Sequence, residues 1–163
     1  LSDDDSLVIS GAASSLGKLK DSRAFEPLAT LASHPNRQLQ EEAIYALGNL
    51  GDSRAFELLI SKLNEATIAV VEALGFLADP RAMEPLLHIL DNAKQPYSQL
   101  RYHSALALGS FKDDRVSKAL ISHLSDELND PFRDNRVCDA AADSLRRIGT
   151  PDALNALRQN GFE

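Results

Sequence analysis

Residues 46–59 read A-L-G-N-L-G-D-S-R-A-F-E-L-L, and the pattern returns along the whole chain. Residues 15–28 read S-L-G-K-L-K-D-S-R-A-F-E-P-L, residues 73–86 read A-L-G-F-L-A-D-P-R-A-M-E-P-L, and residues 107–120 read A-L-G-S-F-K-D-D-R-V-S-K-A-L. A divergent fifth copy is centred on Leu145. The anchoring leucines Leu16, Leu47, Leu74, Leu108 and Leu145 stand 31, 27, 34 and 37 residues apart. Self-similarity at a period of about 20 to 50 residues marks a solenoid, in which each repeat buries its apolar side only against its neighbours.

Each copy has a physical reading. Apolar residues at helical spacing run up to the Leu-Gly, a short polar turn follows, and a second helical pattern begins after the aspartate. Asp21, Asp52, Asp79 and Asp113 stand at N-cap positions, and Pro80 suits the first turn behind one of them. Gly17, Gly48, Gly75 and Gly109 fall in the last turn of the preceding helix, where glycine costs about 1 kcal/mol against alanine. Recurrence at that cost implies close helix approach at each repeat junction. Arg23, Arg54, Arg81 and Arg115 oppose the macrodipole of the helix they begin, so each calls for a carboxylate. The expected partner is the aspartate of a neighbouring repeat, forming an Asp/Arg ladder; a row of anion sites is the other reading.

The 163 residues are 44% hydrophobic and 25% charged, enough for one domain with a sizeable core, residues 1–163. A formal net charge of −7 argues against nucleic acid and anionic membrane and in favour of basic partners. The single cysteine, Cys138, cannot form an internal disulfide, and no apolar run reaches the ~18 residues of a membrane span. A cytoplasmic location is expected. The opening L-S-D-D-D-S-L has neither a basic region nor a secretory core, and the chain is expected to be a piece of a longer one.

Taken in order, residues 6–19 form a helix capped by Ser6 or Asp5, and residues 22–33 pair with it. After the break His34-Pro35-Asn36, residues 37–50 form a helix with Leu39, Ala43, Ile44, Ala46 and Leu47 on its buried side. Helices follow at 53–63, 66–77, 80–90, 97–111, 114–124 and 132–148, with longer breaks at 91–96 and 125–131. The last helix, residues 151–160, starts from Thr150 and ends at Gly161. Ten helices are expected.

The pattern L-G-x-L-x-D-x-R-A-x-x-x-L resembles the HEAT-like repeat family, in particular the repeats associated with phycocyanobilin lyase subunits. The resemblance runs from about Leu7 to Leu157. The fold expected is all-α: an α-solenoid of about five HEAT-like helix pairs in a right-handed superhelix. The fifth copy departs from the pattern, with Arg146 for the glycine, Thr150 for the aspartate and Asp152 for the arginine.

The resemblance also raises enzyme readings. Deoxyhypusine hydroxylase-like relatives carry di-iron on His-Glu pairs, but His34, His88, His103 and His123 are followed by Pro35, Ile89, Ser104 and Leu124. DNA-glycosylase relatives use a basic face, which the acidic balance opposes. No Gly-rich phosphate loop, CxxC pair or assembled nucleophile motif is present. Cys138, beside Val137, Ala141, Ala142 and Leu145, reads as a structural thiol. No catalytic, cofactor or metal residue is expected.

In stacked helix pairs the inner helices line a concave surface, where differences between repeats select partners. The positions two, five and six before each anchor leucine, and two after it, point away from the core. They include Glu41, Glu42 and Tyr45; Ile68, Ala69, Glu72 and Phe76; Tyr102, His103 and Leu106; and Asp139, Ala140, Asp143 and Arg147. Tyr45, Ile68, Phe76, Tyr102 and Leu106 put large apolar or aromatic groups there, flanked by Glu41, Glu42, Glu72, Asp139 and Asp143. An apolar centre with a polar rim is the anatomy of a protein interface. The expected function is a non-catalytic scaffold that binds a basic, partly apolar protein segment through the concave face. The alternative, implied by the resemblance, is a phycobilin lyase-like subunit or chaperone for a tetrapyrrole-carrying protein. Leu7, Val8, Leu154 and Leu157 have the character of internal faces at the two ends of the stack.

Overall fold

A computed structural model describes residues 3–63, 67–92, 98–125 and 136–162. The expected starts of helices at 66, 97 and 132, and most of the breaks 91–96 and 125–131, lie outside those residues. The described residues contain ten α-helices, and the fold is an all-α solenoid of helical repeats. The chain divides into two compact units, Leu1–Asp79 and Pro80–Glu163. The first holds α1 (Asp3–Leu19), α2 (Phe25–Leu31), α3 (Arg37–Leu50), α4 (Ala55–Lys62) and α5 (Ile68–Leu77). The second holds α6 (Met83–Asn92), α7 (Ser98–Leu108), α8 (Asp114–Ser122), α9 (Val137–Ile148) and α10 (Pro151–Gln159).

Local sequence accounts for the boundaries. Asn36 caps α3 by accepting from the amides of Gln38 (2.9 Å) and Leu39 (3.4 Å). Thr67 accepts from Val70 at the start of α5, and Thr150 from Ala153 at the start of α10, with Pro151 in the first turn. Beyond α10, Gly161 has φ 78° and the Phe162 amide donates back to the Leu157 carbonyl at 3.0 Å, closing the helix as a C-cap. Helix α1 starts earlier than the sequence implies, at Asp3, so Asp5 and Ser6 lie inside it rather than capping it.

Behind Asp21, Asp52 and Asp79 the helix also starts later than expected, whereas α8 starts at Asp114 as expected. Asp21 accepts from the Arg23 amide at 3.0 Å, Asp52 from Arg54 at 3.0 Å and Asp113 from Arg115 at 2.8 Å. Ser22–Ala24 and Pro80–Ala82 are 3-10 turns that delay α2 and α6 to Phe25 and Met83, while α4 starts at Ala55.

In the first unit α3 lies between α1 and α5, with α2 and α4 alongside. In the second, α7 lies on α6 and α9, and α8 and α10 lie on α9. The anchors Leu47, Leu74, Leu108 and Leu145 are fully buried, together with Leu28, Leu59, Leu86 and Leu120 from the even-numbered helices. These apolar contacts supply the main stabilisation, about 25 cal/mol per Å² removed from water. Arg101 is a buried cation in this core; its Nε donates to the Leu90 carbonyl at 2.7 Å, satisfying an end of α6.

The glycines sit at the junctions. A Cβ on Gly17 would fall 2.7 Å from the Ala46 carbonyl oxygen, and one on Gly48 would fall 2.6 Å from that of Ala73. Backbone therefore meets backbone at α1/α3 and α3/α5. Gly109 lies just past the end of α7 rather than in its last turn, and a Cβ there would meet Arg147 Nη2 at 2.6 Å and Ser144 Oγ at 2.7 Å.

Candidate partner-binding face

The ladder arginines are engaged. Arg23, Arg54 and Arg115 each close on the aspartate of their own repeat, at 2.5, 2.7 and 3.1 Å, and not on that of a neighbouring repeat as the sequence implies. The i, i+2 spacing lets one carboxylate hold both the backbone amide and the guanidinium. That guanidinium, more than any other group, holds the Asp21 carboxyl down to about 2, with Asp52 and Asp113 lowered by the same cause. Contact between repeats comes from glutamates instead: Arg115 reaches Glu84 at 2.7 Å and Arg54 reaches Glu26 at 3.6 Å. Arg54 also donates to the Ser22 carbonyl at 3.0 Å and lies 4.2 Å over the Phe25 ring. Donors so occupied do not form a row of anion sites.

Within Leu1–Asp79 the odd-numbered helices meet backbone to backbone, while the even-numbered α2 and α4 are bridged by the long side chain of Arg54. That difference brings the odd-numbered helices together most closely, and their outward residues form the face of interest. On α3, Glu41, Glu42 and Tyr45 are half-buried; on α5, Ile68 and Glu72 are half-buried and Phe76 is 54% exposed. Ala69, expected to face outward, is buried, although Glu42 at the same offset on α3 is half-buried.

Tyr45 organises this face. Partial burial first, then the charge of Glu72 and a hydrogen bond to it, push the tyrosine hydroxyl up to about 12, with Glu41 and Glu42 adding to the effect. A neutral phenol thus bridges α3 to α5 amid three carboxylates. Glu41 is also tied to Arg37 at 2.8 Å, and a shallow depression beside them is lined by Arg37, Gln40, Glu41, Ile44 and Thr67.

In Pro80–Glu163 the corresponding residues lie on α7 and α9. Tyr102, His103 and Leu106 are half-buried, with the Tyr102 and His103 rings edge-on at 5.3 Å. Asp139 is half-buried and Asp143 exposed, and burial with the charge of both raises the Tyr102 hydroxyl. Arg136 grips Asp139 through two 2.8 Å bonds and Arg146 holds Asp143 at 2.7 Å, which reduces the negative field the sequence implies here. Ala140, expected outside, is fully buried. Arg147 turns back to donate to the Leu106 carbonyl at 2.5 Å and to Ser144 Oγ at 2.8 Å, bracing α9 on α7.

One recurrent feature escaped the sequence reading. Four residues after the anchor leucine the chain turns left-handed, at Lys20 (φ 54°), Gly51 (73°), Ala78 (51°) and Gly149 (69°). Glycine at two of these equivalent positions was the available signal, overshadowed at Gly51 by the junction glycine Gly48 three residues earlier.

Cys138 is buried in the core side of α9, and burial raises its thiol; it is not placed as a nucleophile. Among the described residues no three His, Cys, Asp or Glu side chains converge as a metal site, and no helix is long and apolar enough to cross a membrane.

A family model described as HEAT repeats matches residues 1–68, 31–99 and 64–137, each frame displaced by one repeat. A second, described as PBS lyase HEAT-like repeat, matches residues 137–160. No curated protein was found to match the chain. Repeats of the first kind generally serve as protein-interaction scaffolds.

Proposed function

The chain belongs to the HEAT-repeat family, and on that premise we propose that it is a non-catalytic scaffold that holds a protein partner on the outward residues of its odd-numbered helices. The observation that carries this reading is the separation of framework from face. Every anchor leucine from Leu47 onward is fully buried, while Phe76, two residues past one of them, stays 54% exposed. Aromatic and apolar groups left outside a well-filled core, with carboxylates beside them, are the material of interface hot spots. Each unit, taken by itself, presents a candidate face: Glu41, Glu42, Tyr45, Ile68, Glu72 and Phe76 in the first, and Tyr102, His103, Leu106, Asp139 and Asp143 in the second. The partner that complements it is a protein segment with basic and apolar side chains; the net charge of −7 disfavours nucleic acid. A cytoplasmic location belongs to the same proposal, supported by the single cysteine, Cys138, which cannot form an internal disulfide.

The test compares wild-type protein with Phe76→Ala and Tyr102→Ala. Proteins retained from the source cell by the wild type are identified by mass spectrometry, and binding is then measured with the purified partner. Each substitution is expected to weaken binding by about 2 kcal/mol or more, while unfolding stability changes by only about 1 kcal/mol. Unchanged affinity in both variants would remove this face as the interface, and a loss of about 3 kcal/mol in stability would return the residues to the core.

The PBS lyase-type match over residues 137–160 favours one second reading, a lyase-like subunit or chaperone for a tetrapyrrole-carrying protein. Incubation with free bilin separates the two. An absorbance shift that survives gel filtration supports the second reading, and an unaltered bilin spectrum removes it.

A further inference from the structure

Helix α1 leaves Val8, Ala12, Ser15 and Leu19 exposed, with Val8 and Leu19 each 72% accessible and Leu7 beside them at 65%. The same offsets from the anchor leucine are occupied on α3 by Leu39, Ala43, Ala46 and Leu50, and on α9 by Val137, Ala141, Ser144 and Ile148. All eight are buried. In α3 this is the side against which α1 presses Gly17 onto Ala46, and in α9 it is the side on which Gly109 meets Ser144. The α1 stripe therefore has the size pattern of a junction surface, large, small, small, large, with no helix upon it among the described residues. The match extends to chemistry: Ser144 Oγ donates to the Ala105 carbonyl of the preceding inner helix at 2.7 Å, whereas Ser15 Oγ turns inward to the Gly11 carbonyl at 2.8 Å.

We propose that this face of α1 is a docking surface for a further helix pair of the same repeat design, seated with a glycine of its inner helix over Ser15. What says so is the continuity of the pattern with the α1/α3 and α7/α9 junctions, in which the occupant is visible. A second copy stacked head to tail does not supply the complement. The last inner helix, α9, carries Arg146 where the docking helix needs glycine, and Arg146 is held by Asp143 and the Phe162 carbonyl. On docking, Ser15 Oγ exchanges the Gly11 carbonyl for a carbonyl of the arriving helix, as Ser144 does. This surface is distinct from the partner face proposed above, and the inference does not depend on that reading.

The experiment joins a copy of residues 1–36 to Ser6 of the chain, which places the copied Gly17 in register over the original Ser15. Thermal unfolding is compared with the protein as it stands. The extended protein is expected to melt about 5 °C or more higher, because a solenoid gains one nearest-neighbour interface per repeat. Ser15→Lys at the original position is expected to abolish that gain while moving the unextended protein by no more than about 2 °C. No rise on extension, or an equal loss from Ser15→Lys in both proteins, overturns the proposal. Sedimentation of the unextended protein supplies an independent check. A dimer that Val8→Lys and Leu19→Lys convert to monomer shows that a second copy takes the face, and overturns it as well.

Discussion

The α3/α5 junction and the α7/α9 junction use the same Leu-Gly signature for different contacts. At the first, Gly48 lies against the backbone of Ala73, so two helices touch with nothing larger than the Ala73 methyl beside the contact. At the second, Gly109 makes room for Ser144 and Arg147, whose hydrogen bonds to the Ala105 and Leu106 carbonyls carry the contact. One glycine meets backbone and a methyl, and the other meets longer polar side chains. A recurring glycine thus reports close approach without reporting what approaches.

The sharpest way to break this comparison is alanine at each glycine. Gly48→Ala is expected to cost about 2–3 kcal/mol, since the new methyl overlaps backbone that cannot move alone, and this outweighs the ~1 kcal/mol gained in helix propensity. Gly109→Ala is expected to cost about half as much, because the Arg147 guanidinium can swing aside while Ser144 is crowded. Denaturant unfolding of the two variants measures the difference, and equal losses would show the junctions to be mechanically alike.

Ser144→Ala tests the polar junction itself. Loss of a buried hydroxyl donor to the Ala105 carbonyl is expected to cost about 1–2 kcal/mol, whereas Ser15→Ala, in the exposed equivalent on α1, is expected to change stability by less than about 0.5 kcal/mol. Equal effects would mean that Ser144 acts through helix propensity and not through its bond.

The left-handed turns give an effect of opposite sign. Ala78→Gly is expected to stabilise the protein by up to about 1 kcal/mol, because φ 51° strains an alanine, and Gly51→Ala is expected to destabilise it by about as much. Thermal melts of the pair check the sign.

The smallest expected effect is the acid response of the Asp/Arg turns. The folded carboxyls of Asp21, Asp52 and Asp113 lie below the ordinary value of 3.8, so their stabilisation is complete above that pH. It is lost as pH falls through the folded values, about 2 for Asp21. The melting temperature is expected to decline between pH 4 and pH 2, and Asp52→Asn should make that decline shallower. An unchanged slope in the variant would assign acid sensitivity to other carboxylates.

Much of the fold was legible because its determinants are local and repeated. The anchor leucines, the motif aspartates and the caps at Thr150 and Gly161 announce themselves by spacing and residue type, whereas Asn36 announces only a break and its capping of α3 came from the structure. The candidate face was legible only in part. Phe76 and Asp143 are exposed where the superposition of repeats puts them, but Ala69 and Ala140 are buried at an offset that serves Glu42 and His103 as half-buried surface. A helix wheel gives one angle for all copies, whereas the neighbouring helix sets how much of that angle is covered. At the chain's two ends the same limit applies: Leu154 is exposed, as its place on an end face implies, yet Leu157, read as its companion, is buried.

The amino-acid sequence by itself determined the repeat, the helix–turn–helix unit, and the residues that must be inside, since periodicity and capping act within a few residues along the chain. Only the tertiary structure decided which carboxylate each arginine meets, which side of each glycine is occupied, and how the charges around Tyr45 and Tyr102 are shared. Those outcomes depend on groups brought together from separate repeats and on side chains choosing among several partners within reach. Spacing along one helix cannot rank such choices; distance and burial across two helices do.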